Sequence, residues 1–375
     1  MQWLLDQGAR VLWGKFDSTK VPDEPAWHEL VKHIEPIDLV LSAADKTGME
    51  HGKLIVRQNA WWKAYRRMHD EIVAKVPIDF VVVAYANSMD KVAGMRGSPF
   101  RKTPWSAMSM RDSFHHQKMG VQTPRRRQDW AAEKLLRRII RSPELVSWLT
   151  LDPTLEAWAI KNLGADGKKV VTYPDIGEVP ENLAGQAAAR ENLGLASRPT
   201  ISVVGSMELR KGVADAVACM AELPEFQLLL AGRFQPDCKE LIDQPAARQL
   251  MDEGRLIVID RRISVDELQW AMEAADVVWA VYQGHYFPSN IMTQAACFGR
   301  PLLGTTDGLI GDRIRVKKIG EVADTGDIPG QVEAIKTIVS RPEAYHDHLR
   351  AYADSQSAKV FAESMARAFL PRFGR

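Results

Sequence analysis

The sequence predicts an α/β protein built as two doubly wound parallel-sheet domains, and three observations carry that prediction. Short apolar blocks such as Ile78-Asp79-Phe80-Val81-Val82-Val83-Ala84-Tyr85 show little polar alternation, which marks strands buried on both faces. These blocks alternate with segments of helical periodicity along most of the chain, the pattern of repeated strand-helix units. The 375 residues are long enough for two separate cores, and one Gly-, Pro- and Ala-rich stretch at 174–199 interrupts the alternation.

Residues 1–8 read as the last turns of a helix closed by Gly8, so the chain reads as beginning mid-unit, without the first strand of its sheet. A short strand at 10–16 precedes an amphipathic run at 25–34, and strand 37–43, helix 52–76 and strand 78–86 follow. The polar, Gly/Pro-marked stretch 87–103 reads as loops at a cleft, with a strand at 104–110 behind it. Residues 125–141 make a basic helix, 147–151 a strand, Asp152-Pro153 opens another helix, and 169–173 is the next strand. After a short helix at 187–193 ended by Gly194, the second unit has strands at 200–204, 227–231, 255–259, 277–281 and 301–304. Helices at 213–221, 246–253, 264–274 and 290–298 separate them, and the tail 331–373 is helical.

Composition excludes several classes. With 49 Lys+Arg against 48 Asp+Glu, the net charge of +1 gives no global field for nucleic acid, and no recognised nucleic-acid module accompanies the local basic cluster. Cys219, Cys238 and Cys297 are an odd number at wide spacing, with neither a CxxC nor a histidine at zinc-ligand spacing. They predict a reducing, cytoplasmic setting and no metal site. The apolar runs are strand-sized, so no segment is expected to span a membrane, and the N-terminus does not read as a signal peptide. A nicotinamide dehydrogenase would need a Gly-x-Gly-x-x-Gly turn after a first strand, and no such run occurs.

Chemistry concentrates in two loops of the second unit. Strand 200–204 runs into Gly205-Ser206-Met207-Glu208-Leu209-Arg210-Lys211-Gly212 and then a helix. The carboxyl end of a strand in an open parallel sheet is where ligands bind, and adjacent Arg and Lys before a helix can neutralise a diphosphate. Strand 277–281 leads to Tyr282-Gln283-Gly284-His285-Tyr286-Phe287-Pro288-Ser289-Asn290, where Ser289 or Asn290 is placed to cap a helix whose free amides point at an anion.

The ordered set of segments resembles glycosyltransferases of the GT-B fold, close to family 4. It comprises Ala189-Arg190-Glu191-Asn192-Leu193-Gly194-Leu195, Val203-Val204-Gly205 through Arg210-Lys211-Gly212, and Leu228-Leu229-Leu230-Ala231-Gly232. It continues with Ile263 to Leu268, Ala274 to Val278, and Gln294-Ala295-Ala296-Cys297-Phe298-Gly299-Arg300-Pro301. The likeness covers about 200–325; upstream it is weaker, although Tyr173-Pro174-Asp175-Ile176-Gly177 sits like the segment that ends the family's first domain. It implies an N-terminal Rossmann-like acceptor domain at 1–177, a linker at 178–198, a nucleotide-sugar donor domain at 199–330, and helices at 331–375 that pack back on the first domain.

The resemblance further implies transfer of a hexose from a nucleoside diphosphate sugar, UDP- or GDP-linked, to a glycan, lipid-linked or small-molecule acceptor. Retention of configuration goes with it, and no metal cofactor, since basic side chains and a helix dipole replace the cation; no persuasive DxD motif is present. On the donor side it assigns Gly205, Arg210, Lys211, Gly232, Arg261, Tyr286, Ser289, Asn290 and Gln294. Its catalytic assignments are Lys211, His285 and Arg111, the last where the family often has a strand-end histidine. His285 reads equally as a structural histidine beside a helix start, and His115 and His116 read as residues of a solvated helix or loop.

Two departures matter. The family's paired glutamates fall here at Tyr286 and Gln294, so both carboxylates are missing, although the Gln294 amide can still bond ribose hydroxyls. This leaves a second reading, a catalytically weakened protein that binds nucleotide sugar or acts as a scaffold. The basic stretch 118–141, interleaved with Trp130, Leu135, Leu136, Ile139 and Ile140, reads in two ways. It is either a peripheral contact with the inner face of a membrane or one helix with its apolar face in the core and a solvated charged face.

Overall fold

The apolar blocks do become strands, and every strand pair in the computed structural model, which describes residues 2–6, 8–16 and 25–373, is parallel. The chain divides into two compact units, one of Met1–His115, Arg126–Tyr173 and Ala362–Arg375, the other of His116–Arg125 and Pro174–Phe361.

In the N-terminal unit β1 (Leu12–Phe16) pairs with β2 (Glu35–Leu39) as a two-stranded sheet. A four-stranded sheet runs in the order β3 (Val81–Val83), β4 (Trp105–Ser109), β5 (Leu145–Thr150), β6 (Val170–Thr172). Two expectations change here. The strand expected over 37–43 stops early because Ser42 starts the helix Ala43–Met49. Its hydroxyl accepts from the Asp45 amide at 3.1 Å, and its own amide donates to the Asp45 carboxylate at 2.9 Å, a reciprocal cap that fixes the turn.

The stretch 87–103, expected as loops, contains the helix Asp90–Arg96. Gln58, from the long helix Leu54–Val73, donates to Asp90 Oδ1 at 2.6 Å and Asn87 O at 2.8 Å, anchoring the helix start in the interior. A Cβ on Gly94 would lie 2.7 Å from Leu135 Cβ, so the glycine allows close approach to the helix Asp129–Ile140. Tertiary contact, rather than apolar periodicity, makes this helix.

The C-terminal unit holds one six-stranded sheet in the order β12-β11-β10-β7-β8-β9. The strands are β7 (Thr200–Val204), β8 (Gln227–Ala231), β9 (Leu256–Ile259), β10 (Val277–Ala280), β11 (Leu302–Thr305) and β12 (Gly320–Ala323). Residues of β7, β8 and β10 are buried throughout, as their unbroken apolar runs require. The edge strand β12 escaped the sequence because Gly-Glu-Val-Ala carries almost no apolar pattern; a Cβ on Gly320 would come within 1.9 Å of Leu302 O, so only glycine fits there. The strand order reverses between β7 and β10.

The tail departs from expectation in one respect. Residues 342–361 stay with the C-terminal unit, where Tyr345, Leu349 and Tyr352 join its core. Only from Ala362, within the helix Ala358–Phe373, does the chain belong to the N-terminal unit: Phe369 meets Phe80 edge-on at 5.7 Å, and Arg367 pairs with Glu156 at 3.0 Å. No helix among the described residues is long and apolar enough to cross a membrane, and the three cysteines are free and buried.

Candidate functional site

Because β7 and β10 are neighbours at the reversal, the loops leaving their carboxyl ends meet, and a crevice at such a point is where open α/β sheets take ligands. Gly205 continues β7 by donating to Ala231 O at 2.9 Å, and Gly232 continues β8 by donating to Ile259 O at 2.9 Å. Gly232 has φ +143°, and a Cβ on it would stand 2.1 Å from Gly205 O, so the two glycines let the strand ends close together. A single turn of 3₁₀ helix, Leu209–Lys211, then delivers the two cations, and Gly212, left-handed at φ +66°, launches the helix Val213–Cys219.

The loop after β10 locks onto the first one. Gln283 N donates to Arg210 O at 2.7 Å, Trp279 Nε1 donates to Lys211 O at 2.8 Å, and a Cβ on Gly212 would sit 2.4 Å from Val281 O. Tyr282 is the common floor: its ring lies 5.5 Å from the Arg210 guanidinium and 5.8 Å from Lys211 Nζ, close enough for cation–π attraction. Burial pushes the Tyr282 phenol up to about 12, while Arg210 and a hydrogen bond with Ser289 pull the other way. The sequence did not single out Tyr282; its position two residues past the end of β10 was the available signal.

The two cations differ in state. Arg210 is partly exposed and paired with Glu208 at 2.7 Å. Lys211 is buried, its ammonium donates to Val204 O, and no carboxylate lies within ion-pair distance of it among the described residues. Burial, with Arg210's charge added, lowers its pKa to about 8. A charge so poorly compensated gains from any anion brought to it.

Other assigned residues scatter around this centre. His285 Nε2 donates to Pro288 O at 3.3 Å, and its ring packs edge-on against Tyr282 and Phe287. Tyr286 O accepts from Leu309 N at 3.3 Å, and left-handed Gly308 gives the Tyr286 backbone room, since a Cβ there would lie 2.6 Å from Tyr286 Cα. Asn290 holds the N-cap position of the helix Ile291–Cys297 but is itself helical, and its side chain makes no cap; the expected side-chain cap is absent there. Gln294 is half-buried. Arg261 follows the edge strand β9, two strands from β7, and its guanidinium pairs with Glu267, which also completes a capping box with Ser264.

The fold can be compared with known ones. No family model matches the chain. Sucrose-phosphate synthase from Thermosynechococcus elongatus superposes over 99% of this chain and 91% of its own with a TM-score of 0.69 at 18% identity. The Anabaena protein HepE, solved in complex with UDP, superposes over 98% of this chain and 100% of its own with a TM-score of 0.64 at 13% identity. The lipopolysaccharide-biosynthesis glycosyltransferase WaaG gives 0.63 over 97% and 92% at 15% identity. The chain has the GT-B fold. In sequence, glycogen synthase from Mycobacterium tuberculosis is 29% identical over 171 residues, 44% of this chain and 39% of that protein. The chain thus spans about two fifths of the length of the curated relatives it matches.

In the N-terminal unit of this GT-B chain, Arg111 is exposed just past β4, its amide donating to Asn87 Oδ1 at 3.2 Å. His115 and His116 correct the sequence reading, for both are fully buried. His115 Nε2 lies 2.9 Å from Asp152 Oδ2 and 3.0 Å from Thr154 Oγ1, and its ring packs beside Phe114 and Trp158. It ties the 110–115 loop to the start of the helix Pro153–Leu163. The sequence also missed a buried polar cluster at the ends of β3 and β4: Asp112, its pKa raised by burial, accepts from Ser109 Oγ at 2.5 Å and Trp148 Nε1 at 3.3 Å.

Proposed function

We propose that this GT-B chain is a glycosyltransferase that moves a hexose from a nucleoside diphosphate sugar to an acceptor hydroxyl, with retention of configuration and without a metal cofactor. One observation carries the reading: Lys211 and Arg210 share the Tyr282 ring at the strand-order reversal, and Lys211 has no carboxylate of its own. Such a pair would bind the donor diphosphate and stabilise the negative charge that develops on it as the sugar leaves, so that catalysis is mainly positioning and electrostatics. The glycines at 205 and 232 would let the phosphates approach the backbone. His285 would face the reacting sugar, Gln294 the ribose. UDP in the HepE structures and the glycogen synthase match make UDP-glucose the first donor to test.

We place the chain in the cytoplasm, with peripheral contact to the inner face of a membrane through 118–141. The exposed ring of Trp130 beside exposed Arg127, Lys134 and Arg138 supports that contact. The second reading, a weakened protein that retains nucleotide-sugar binding, is supported by Tyr286 and Gln294 in place of two glutamates. The deciding assay incubates the chain with a panel of UDP- and GDP-sugars and measures diphosphate release with and without acceptor. Acceptor-dependent release supports the enzyme. Tight nucleotide binding without release, together with activity gained in Tyr286→Glu, replaces it with the second reading.

A further inference from the structure

The helix Asp129–Ile140 spends its acids locally. Asp129 accepts the Arg126 amide at 3.0 Å, and Glu133 is held by Arg137 at 2.8 Å. Arg137 also donates to Asn162 O at 3.1 Å and lies 4.9 Å over the Trp158 ring, so its charge is used within the fold. Lys134, Arg138 and Arg141 are different: all three are exposed, and none has a carboxylate partner among the described residues. They border an open cavity of about 650 Å³ in the N-terminal unit, whose wall includes Trp105, Gly97 and Ser98 and no acidic side chain.

The cavity has a structural cause. At Gly94 the helix Asp90–Arg96 presses on Leu135, but it ends at Gly97, φ +89°, while the helix Asp129–Ile140 continues. The longer helix is therefore uncovered on this side. Trp105 in the wall is 1% exposed, and its indole N–H has no acceptor among the described residues, a leftover donor of the kind a fold ordinarily satisfies. Cations near a helix C-terminus complement its dipole, which accounts for Arg138 and Arg141 singly. It does not account for three unpaired cations around one concavity.

We propose that this cavity binds the phosphate of an anionic ligand, with Lys134, Arg138 and Arg141 supplying the charge. An arginine fork matches two phosphate oxygens, and Lys134 adds a compact point charge. Two sources share this chemistry, a soluble phosphate ester and the headgroup of an anionic lipid. Trp130, whose ring lies 4.6 Å from Lys134 Nζ, offers an apolar surface beside the charge. The proposal is independent of sugar transfer; for the lipid source it rests on the membrane contact proposed above.

The test titrates the full chain calorimetrically with inorganic phosphate and glycerol 3-phosphate. It also measures flotation with phosphatidylcholine vesicles, with and without phosphatidylglycerol. Parent protein is compared with Arg138→Gln/Arg141→Gln, with the charge-retaining Arg138→Lys/Arg141→Lys, and with Lys161→Gln, an exposed cation outside both the cavity wall and the stretch 118–141. The Gln pair is expected to lose at least about tenfold in affinity for the probe that binds, the Lys pair to keep most of it, and Lys161→Gln to match the parent. Saturable binding of the soluble esters identifies a free ligand, and binding confined to phosphatidylglycerol vesicles identifies lipid; either supports the cavity. Equal losses in Lys161→Gln and the Gln pair would mean a diffuse charged surface and overturn it. So would a parent that binds none of the probes, or binding unchanged in the Gln pair. Melting curves of the Gln and Lys pairs separate loss of fold from loss of site. Diphosphate release is a separate readout, so failure here leaves the transfer reading standing, and the reverse.

Discussion

Lys91 and Lys211 each follow a strand by a few residues, one in each unit, and they meet opposite electrostatic fates. Burial opposes the charge on Lys91, but Asp90, 2.8 Å away, and Asp112 outweigh it and its pKa is raised. Lys211 is buried against a carbonyl with Arg210 nearby, and its pKa falls. A lysine neutralised from within is scaffold: with Gln58, Asn87 and Asp112 it fixes the ends of β3 and β4. A lysine left without an anion is poised to receive one.

The largest effect should come from breaking the internal pair. Asp90→Ala leaves Lys91 without its partner and takes one of two acceptors from the Gln58 amide, and chemical denaturation should show a loss of about 3 kcal/mol. Lys211→Met, by contrast, removes a charge the fold tolerates poorly. Its melting temperature should hold or rise, while calorimetric affinity for UDP falls by at least about tenfold. If Lys211→Met instead melts early and binds UDP normally, the two lysines have exchanged roles.

Titration sharpens the same contrast with a smaller effect. The unfolded chain holds a proton on a lysine up to about 10.5, whereas folded Lys211 releases it near 8. The unfolded state therefore binds more protons in that window, and Lys211 makes stability rise with pH there. Lys91 acts in the opposite sense: its contribution is fully present below the ordinary lysine value and is lost as pH climbs through its raised one. UDP affinity should fall as pH passes about 8 in the parent, and Lys211→Met should flatten that profile. An unchanged slope in the variant would assign the titration to another group. The smallest effect belongs to Arg261→Ala, expected to leave UDP affinity at the parent value because Glu267 already occupies the guanidinium; a loss like that of Lys211→Met would return Arg261 to the site.

The C-terminal unit was legible because its information is local. The apolar runs of β7, β8 and β10 mark fully buried strands, and Gly205 to Gly212 and Tyr282 to Asn290 follow two of them directly. The N-terminal unit was less so, since its polar residues look like loop residues until their partners are known. Asp90, His115 and Asp112 are all buried, and each is satisfied by a residue from another element: Gln58, Asp152 and Trp148.

The sequence by itself determined the alternation of buried strands and helices, the boundary near 174, and the loops that carry the cations. Each depends on a periodicity of a few residues or on a glycine's own conformational range. Only the tertiary structure decided that Lys211 lies on Val204 O over Tyr282, that Arg261 is spent on Glu267, and that the helix Asp90–Arg96 stops short beside three unpaired cations. The protonation and availability of a charge are set by its neighbours in space, and strand order, which brings β7 beside β10, is not written in any short stretch of chain.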